Sequence, residues 1–170
     1  MPLRSGRHER VEPGPGQESV WDYPRPPLLV RSSRLVEIRV GDTLLATTSD
    51  AYRVLETSHP PTWYLPPNAF HDGVLKPAGG RGSICEWKGA AVYWDVVLPD
   101  GGVLPSEAWS YPRPSSTFVP ITDHVAVYAR TLTCVVDGER VRPQPGGFYG
   151  GWVTDDVVGP FKGAPGTMGW

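Results

Sequence analysis

A carboxylate, an imidazole and a phenol fall within one short stretch as Glu56, His59 and Tyr64, with the rigid pair Pro60-Pro61 between the last two. A carboxylate near an imidazole is the pairing of a base with the group that orients it. Further along, Cys85 and Lys88 stand three residues apart. A neighbouring ammonium favours the thiolate of a cysteine, and a desolvated lysine is itself a nucleophile. The third group is aromatic: Trp87, Trp94, Trp109 and Tyr111. Aromatic walls with a few polar groups are what small-molecule pockets are made of, and they also hold cations. Each group has a structural alternative. Glu56 and His59 would then satisfy loop backbone, Cys85 and the aromatics would be core, and Lys88 would be a solvated charge.

Weighed together, the candidate catalytic residues are Glu56, His59 and Lys88, and the candidate ligand-binding residues are Tyr64, Cys85, Trp87, Trp94, Trp109 and Tyr111. If there is catalysis, Lys88 and Glu56 are expected to carry it ahead of Cys85. Lys88 is one of three lysines against thirteen arginines, and it precedes Gly89, where the backbone can turn its side chain inward. Desolvation by Trp87 and Trp94 would make it a neutral nucleophile or base, whereas an apposed Glu56 would keep it a cation that anchors an anionic ligand. The carboxylate is expected to win. No phosphate-binding loop, dinucleotide glycine pattern, HExxH or GxSxG is present, so no cofactor is expected. Cys85 and Cys134 are the two cysteines; without a CxxC pair a four-cysteine zinc site is excluded, and no metal is expected.

The elements that must position these groups are read as strands. Twenty prolines and twenty glycines in 170 residues argue against long helices. A strand from about Ala90 to Val97, entered through a bend at Gly89, joins the Cys85–Lys88 group to the rest. Hairpins are expected at Gly41-Asp42 (Leu35–Val40 with Thr43–Thr48), at Pro99–Gly102, and at Asp137-Gly138 (Leu132–Val136 with Glu139–Arg142). Thr62–Leu65 and Ile121–Ala129 also read as strands, and Asn68–Asp72 as a turn or single helical turn. Ala51–Thr57 fits helix or strand, and residues 74–84 read as a loop with a mobile tip at Gly79–Gly82. The fold class is all-β, a single compact domain of antiparallel sheets with little helix, and two sheets are expected. Residues 1–17 are expected to be a flexible arm, 18–166 the domain with 143–166 wrapping its surface, and 167–170 a tail.

One pattern recurs: Trp21–Pro26 and Trp109–Pro114 both read W-x-Y-P-R-P. The segments are anchors if their indoles are buried, and contact points for a partner protein if they are exposed. A net charge of −2 gives no general attraction to nucleic acid or to an anionic membrane, so neither is an expected partner. Residues 1–17 lack the apolar run of a signal or a membrane span, and a cytoplasmic protein is expected. The arginine, glycine, proline and alanine bias points to a GC-rich bacterial gene.

Several blocks carry a resemblance. Leu55–Tyr64 (L-E-T-S-H-P-P-T-W-Y), Cys85–Gly89 (C-E-W-K-G) with Tyr93-Trp94, and Ala108–Pro112 (A-W-S-Y-P) resemble the bacterial domain-of-unknown-function 427 family. His124–Tyr128 and Gln144–Trp152 are similar as well, so that the likeness runs from about Glu18 to Gly166. The resemblance implies an antiparallel β-tent architecture, related to B-type methionine sulfoxide reductases and to the ligand-binding domain of cereblon. Those relatives usually hold zinc through two CxxC knuckles, which this chain lacks. The resemblance also brings a nucleotidyltransferase label, for which the residues supply no motif. The leading functional expectation is a small-molecule-binding β domain, an enzyme if Lys88 and Glu56 do chemistry. The alternatives are a protein-interaction module using the W-x-Y-P-R-P segments, and nucleotidyl transfer.

Overall fold

The chain reverses where small, turn-competent residues allow it. Gly41, Gly101 and Asp137-Gly138 all adopt positive φ at the tips of hairpins, as the sequence predicts. A computed structural model describes residues 9–80, 82–85 and 88–170, and its elements are almost entirely strands. In chain order these begin with β1 (Glu18–Ser19), β2 (Leu28–Ser32), β3 (Val36–Val40), β4 (Thr43–Thr48), β5 (Ala51–Leu55) and β6 (Thr62–Tyr64). Next come β7 (Leu75–Pro77), β8 (Ser83–Cys85), β9 (Gly89–Val97), β10 (Val103–Ser110) and β11 (Val125–Val127). The series closes with β12 (Thr133–Val136), β13 (Glu139–Arg140), β14 (Arg142–Pro143), β15 (Trp152–Val153) and β16 (Val157–Val158). Among the described residues, helix is confined to short 3-10 segments at Val20–Asp22, Pro67–Ala69 and Ser116–Ile121. None is long and apolar enough to cross a membrane.

The expectation of two sheets needs correction. Three larger antiparallel sheets form, β11-β10-β9-β7 with β8 also on β9, β13-β12-β3-β4, and β2-β5-β6. Two-stranded pieces join them, and one of these, β1 with β16, is parallel and ties the two ends of the chain together. Proline and bulges cut the ladders short, so no two sheets run far enough to close a simple sandwich. The ambiguous 51–57 stretch is strand β5. The expected loop 74–84 is also corrected: Leu75, Lys76 and Pro77 pair with Val96, Asp95 and Trp94, and Ser83 and Cys85 pair with Ala91 and Gly89. These three-residue strands have no local signal of their own and exist because β9 offers an edge.

Strand β9 divides the interior. Successive side chains point to opposite faces, so Trp94 and Val96, with Ala108 opposite Trp94, pack into the larger core beside Val36, Ile38, Trp63 and Trp152. Ala91 and Tyr93, with Trp109 opposite Tyr93, join a second cluster with Tyr64, Tyr111, Phe118 and Ile121. Trp63 and Trp152 stack with centroids 6.2 Å apart in the first core. Burying each such ring contributes about 3 kcal/mol. A third cluster of Val20, Tyr23, Leu55, Val153 and Val157 clasps the chain ends. Of the expected arm, residues 9–17 are exposed, with Val11 N–H donating to the Gly159 carbonyl.

Candidate functional site

The second cluster floors a cavity of about 510 Å³. Its first wall is made where β5 ends. Ser58 adopts φ 71, which folds the chain into a tight turn closed by the His59 N–H donating to the Glu56 carbonyl. Other segments pin this turn: Ser58 N–H donates to Val20 O, and Lys162 N–H donates to Ser58 O. The turn brings His59 Nε2 to 3.3 Å from Glu56 Oε2. Arg25, from the first W-x-Y-P-R-P segment, approaches the same oxygen at 3.6 Å.

The other imidazole nitrogen is held by Gln144, which is buried. Gln144 Oε1 accepts from Gly151 N–H at 3.1 Å, and Gln144 Nε2 donates to the Lys162 carbonyl at 2.8 Å and to His59 Nδ1 at 3.0 Å. A backbone N–H must meet the amide oxygen and a backbone carbonyl must meet the amide nitrogen, so the orientation of the amide is determined. His59 Nδ1 therefore accepts, its Nε2 carries the proton, and that proton points at Glu56. With both nitrogens engaged, the imidazole orients the carboxylate, and Glu56 is the group presented to the cavity.

The opposite wall comes from the β8–β9 turn and β10. Gly89 has φ 102, and a Cβ there would stand 3.1 Å from the Arg113 carbonyl, so only glycine fits the bend without strain. The bend sets Cys85 and Lys88 into the wall, and Lys88 Nζ lies 5.8 Å from the Tyr111 ring centroid. Trp109 Nε1–H donates to the Tyr64 hydroxyl at 3.3 Å, and the Trp109 ring meets Tyr128 with centroids 4.7 Å apart. The tail closes the remaining side. Gly150 passes so near that a Cβ would stand 2.1 Å from Trp109 Cη2, and Tyr149 sets its ring edge-on to His59 at 4.8 Å.

Burial alone would raise the carboxyl of Glu56, but the hydrogen bond from His59 and the positive charges of Lys88 and Arg25 outweigh it and hold the group below the ordinary carboxylate value. Glu56 is ionised at neutral pH. Burial pushes the phenols of Tyr64 and Tyr111 well above the ordinary tyrosine range, so both are neutral hydrogen-bonding groups. Two lysine side chains, an ionised carboxylate, neutral phenols and a cysteine thus share one aromatic cavity. Among the described residues, no group of three or more His, Cys, Asp or Glu gathers where a metal could be held.

Of the residues singled out from the sequence, Glu56, His59, Tyr64, Cys85, Lys88, Trp109 and Tyr111 line this cavity. Trp94 does not. It stands on the other face of β9, packs against the larger core and donates its Nε1–H to Ser110 Oγ at 2.9 Å. The cross-strand neighbour of Trp109 is Tyr93, and Tyr93 takes the place expected of Trp94. Trp87 lies outside the described residues. Sequence reasoning missed Tyr128, Gln144, Tyr149 and Lys162. The signals present were the Gln144–Trp152 block and the scarcity of lysine, since two of the three lysines stand in the wall.

The fold and site together define a small all-β domain with an aromatic, charged cavity between its central sheet and its C-terminal segment. The chain belongs to the family described as domain of unknown function (DUF427), whose model matches residues 28–141. The match ends before Gln144, Tyr149 and Lys162, which complete the cavity. A search of curated proteins found no match to the chain.

Proposed function

We propose that this domain binds a small organic molecule in the cavity, with Glu56 and Lys88 as polar anchors and the rings of Tyr64, Trp109 and Tyr111 as the surface that buries it. The observation that carries this reading is convergence. Side chains from the Glu56–Tyr64 stretch, the Cys85–Lys88 turn, the end of β10 and the C-terminal segment line one space of about 510 Å³, a size suited to a drug-sized ligand. The carboxylate is oriented before any ligand arrives, which spares the ordering cost that binding otherwise carries. The W-x-Y-P-R-P segments support this role over a protein-docking one. Trp109 is 8% exposed and Tyr111 5%, and Trp21 is half-buried with its Nε1–H donating to the Pro160 carbonyl.

The test is a thermal-shift screen of a metabolite library against the wild type, Glu56→Gln and Lys88→Met. A ligand that binds the folded state alone raises the melting temperature by mass action. Hits that stabilise the wild type and lose most of that effect in both variants are expected. Hits that stabilise all three proteins equally would overturn the assignment of the cavity.

A further inference from the structure

The charges in the cavity wall are already opposed. Lys162 Nζ donates to the Trp170 main-chain oxygen at 3.3 Å. Lys88 is set against the ionised Glu56, which Arg25 and the His59 N–H also meet. An ion entering the cavity would give up its hydration without finding a free counter-charge, so the wall favours an uncharged ligand.

The polar valence left over lies at the aromatic floor. Tyr64 is 1% exposed and Tyr111 5%, their ring centroids are 6.2 Å apart, and their hydroxyls adjoin. Both phenols are neutral, so between them they carry two hydroxyl protons. The Tyr64 oxygen already accepts from Trp109 Nε1–H at 3.3 Å. A hydrogen bond between the two phenols uses one of their protons, whichever of them donates it. Among the described residues no other acceptor stands within hydrogen-bond distance of either hydroxyl. Lys88 Nζ, 5.8 Å from the Tyr111 ring centroid, is itself a donor. One buried O–H is therefore left to the cavity that both tyrosines line. Water can accept from it, and a ligand that displaces the water must offer an acceptor in its place.

Resting on the reading of this cavity as a ligand site, we infer that its ligand is an uncharged planar carbonyl compound, whose carbonyl oxygen accepts from the Tyr64–Tyr111 hydroxyl pair. A carbonyl oxygen has two lone pairs, one for that proton and a second for Lys88, the donor beside Tyr111. The conjugated body lies against Trp109 and Tyr128, whose rings meet at 50° with centroids 4.7 Å apart. Aromatic contact there supplies buried area, while the hydroxyl selects for the oxygen.

The experiment uses a matched set on one ring system: 1-indanone, indane, 1-indanecarboxylate and 1-aminoindane. Each is titrated into the full 15N-labelled chain while the Trp109 indole N–H, which bonds the Tyr64 oxygen, is followed by NMR. The ketone binds and moves that resonance. Indane, which lacks the acceptor, binds about tenfold more weakly, and the carboxylate and the amine are weakened at least as much. Combining Tyr64→Phe with Tyr111→Phe removes both hydroxyls; the ketone then loses its advantage, while indane binds as it does to the wild type. The ranking of the four compounds on the wild type stands as a test even if that double variant does not fold. Indane, the carboxylate or the amine binding as tightly as the ketone and moving Trp109 would overturn the inference and leave the cavity reading standing. A ketone preference that survives the loss of both hydroxyls would overturn it too. If none of the four moves Trp109, the inference falls alone, because the cavity reading stands or falls on the metabolite screen.

Discussion

The side-chain amide of Gln144 donates to Nδ1 of His59 at 3.0 Å. Gln144 is 3% exposed, lies 85 residues along the chain from His59, and has its own orientation determined by Gly151 and Lys162. The contact dictates which imidazole nitrogen carries the proton, and through it where Glu56 points. The C-terminal segment thus sets the chemistry of a group that is distant along the chain but adjacent in the fold.

Replacing Gln144 should show this. Gln144→Glu cannot donate to His59 Nδ1 and is expected to draw the proton onto that nitrogen, a change read from the imidazole 15N shifts. Gln144→Leu leaves Gly151 N–H, the Lys162 carbonyl and His59 Nδ1 unsatisfied, and should cost about 3 kcal/mol in urea unfolding. An unchanged tautomer in Gln144→Glu would contradict the lock.

Glu56 makes a signed pH prediction. Its folded-state value lies below the ordinary one, so its contribution to stability is full above the unfolded value of about 4.3 and is lost as the pH falls through the lower folded value. Glu56→Gln should therefore cost about 1–2 kcal/mol at neutral pH, through weakened charge-assisted hydrogen bonds. The gap from wild type should close as the pH drops below about 4. Denaturant titrations across pH check this, and a gap that widens on acidification would contradict it.

Gly150 makes a packing prediction. A Cβ at this position would stand 2.1 Å from Trp109 Cη2 and 2.9 Å from Cζ2. Gly150→Ala must move the indole or the segment, and should destabilise by about 2 kcal/mol. Binding of ligands found in the metabolite screen should fall with it. An Ala variant as stable as wild type would mean that the segment is looser than the contact implies.

Ser58 combines a left-handed backbone with a buried hydroxyl that has no hydrogen-bond partner among the described residues. Both features cost stability, and glycine removes both while adding unfolded-state entropy. Ser58→Gly is expected to stabilise by about 1 kcal/mol. A loss of stability would show that the hydroxyl has a partner, such as a buried water.

Much of this fold was legible where the signal is local. Asp137-Gly138 closes its hairpin through the backbone freedom of its own two residues, and Gly89 marks a bend because a side chain there would strike Arg113. What failed was non-local. Strands β7 and β8 are three residues each and owe their form to the edges of β9. Trp94 was expected beside Trp109 because Val92, Tyr93, Trp94 and Val96 are all β-formers, so the apolar pattern does not distinguish the faces of the strand. The register does, by placing Tyr93 opposite Trp109. Gln144 and Lys162 reach the cavity through the path of the C-terminal segment, which no residue-level pattern announces.

That parity gives another test. Trp94→Phe removes a hydrogen bond to Ser110 on the face toward the larger core and should cost about 1 kcal/mol of stability without changing ligand binding in the cavity. Trp109→Phe should weaken binding severalfold, since it removes cavity wall. Equal effects of the two substitutions on binding would contradict the assignment of the faces.

The most direct test of the central claim is to titrate hits from the metabolite screen into 15N-labelled protein and follow the Trp109 and Trp94 indole N–H resonances together. A ligand in the cavity should shift Trp109 at saturation, leave Trp94 nearly in place, and lose affinity in Glu56→Gln. Hits that shift neither indole, or that bind Glu56→Gln as tightly as wild type, would contradict the account.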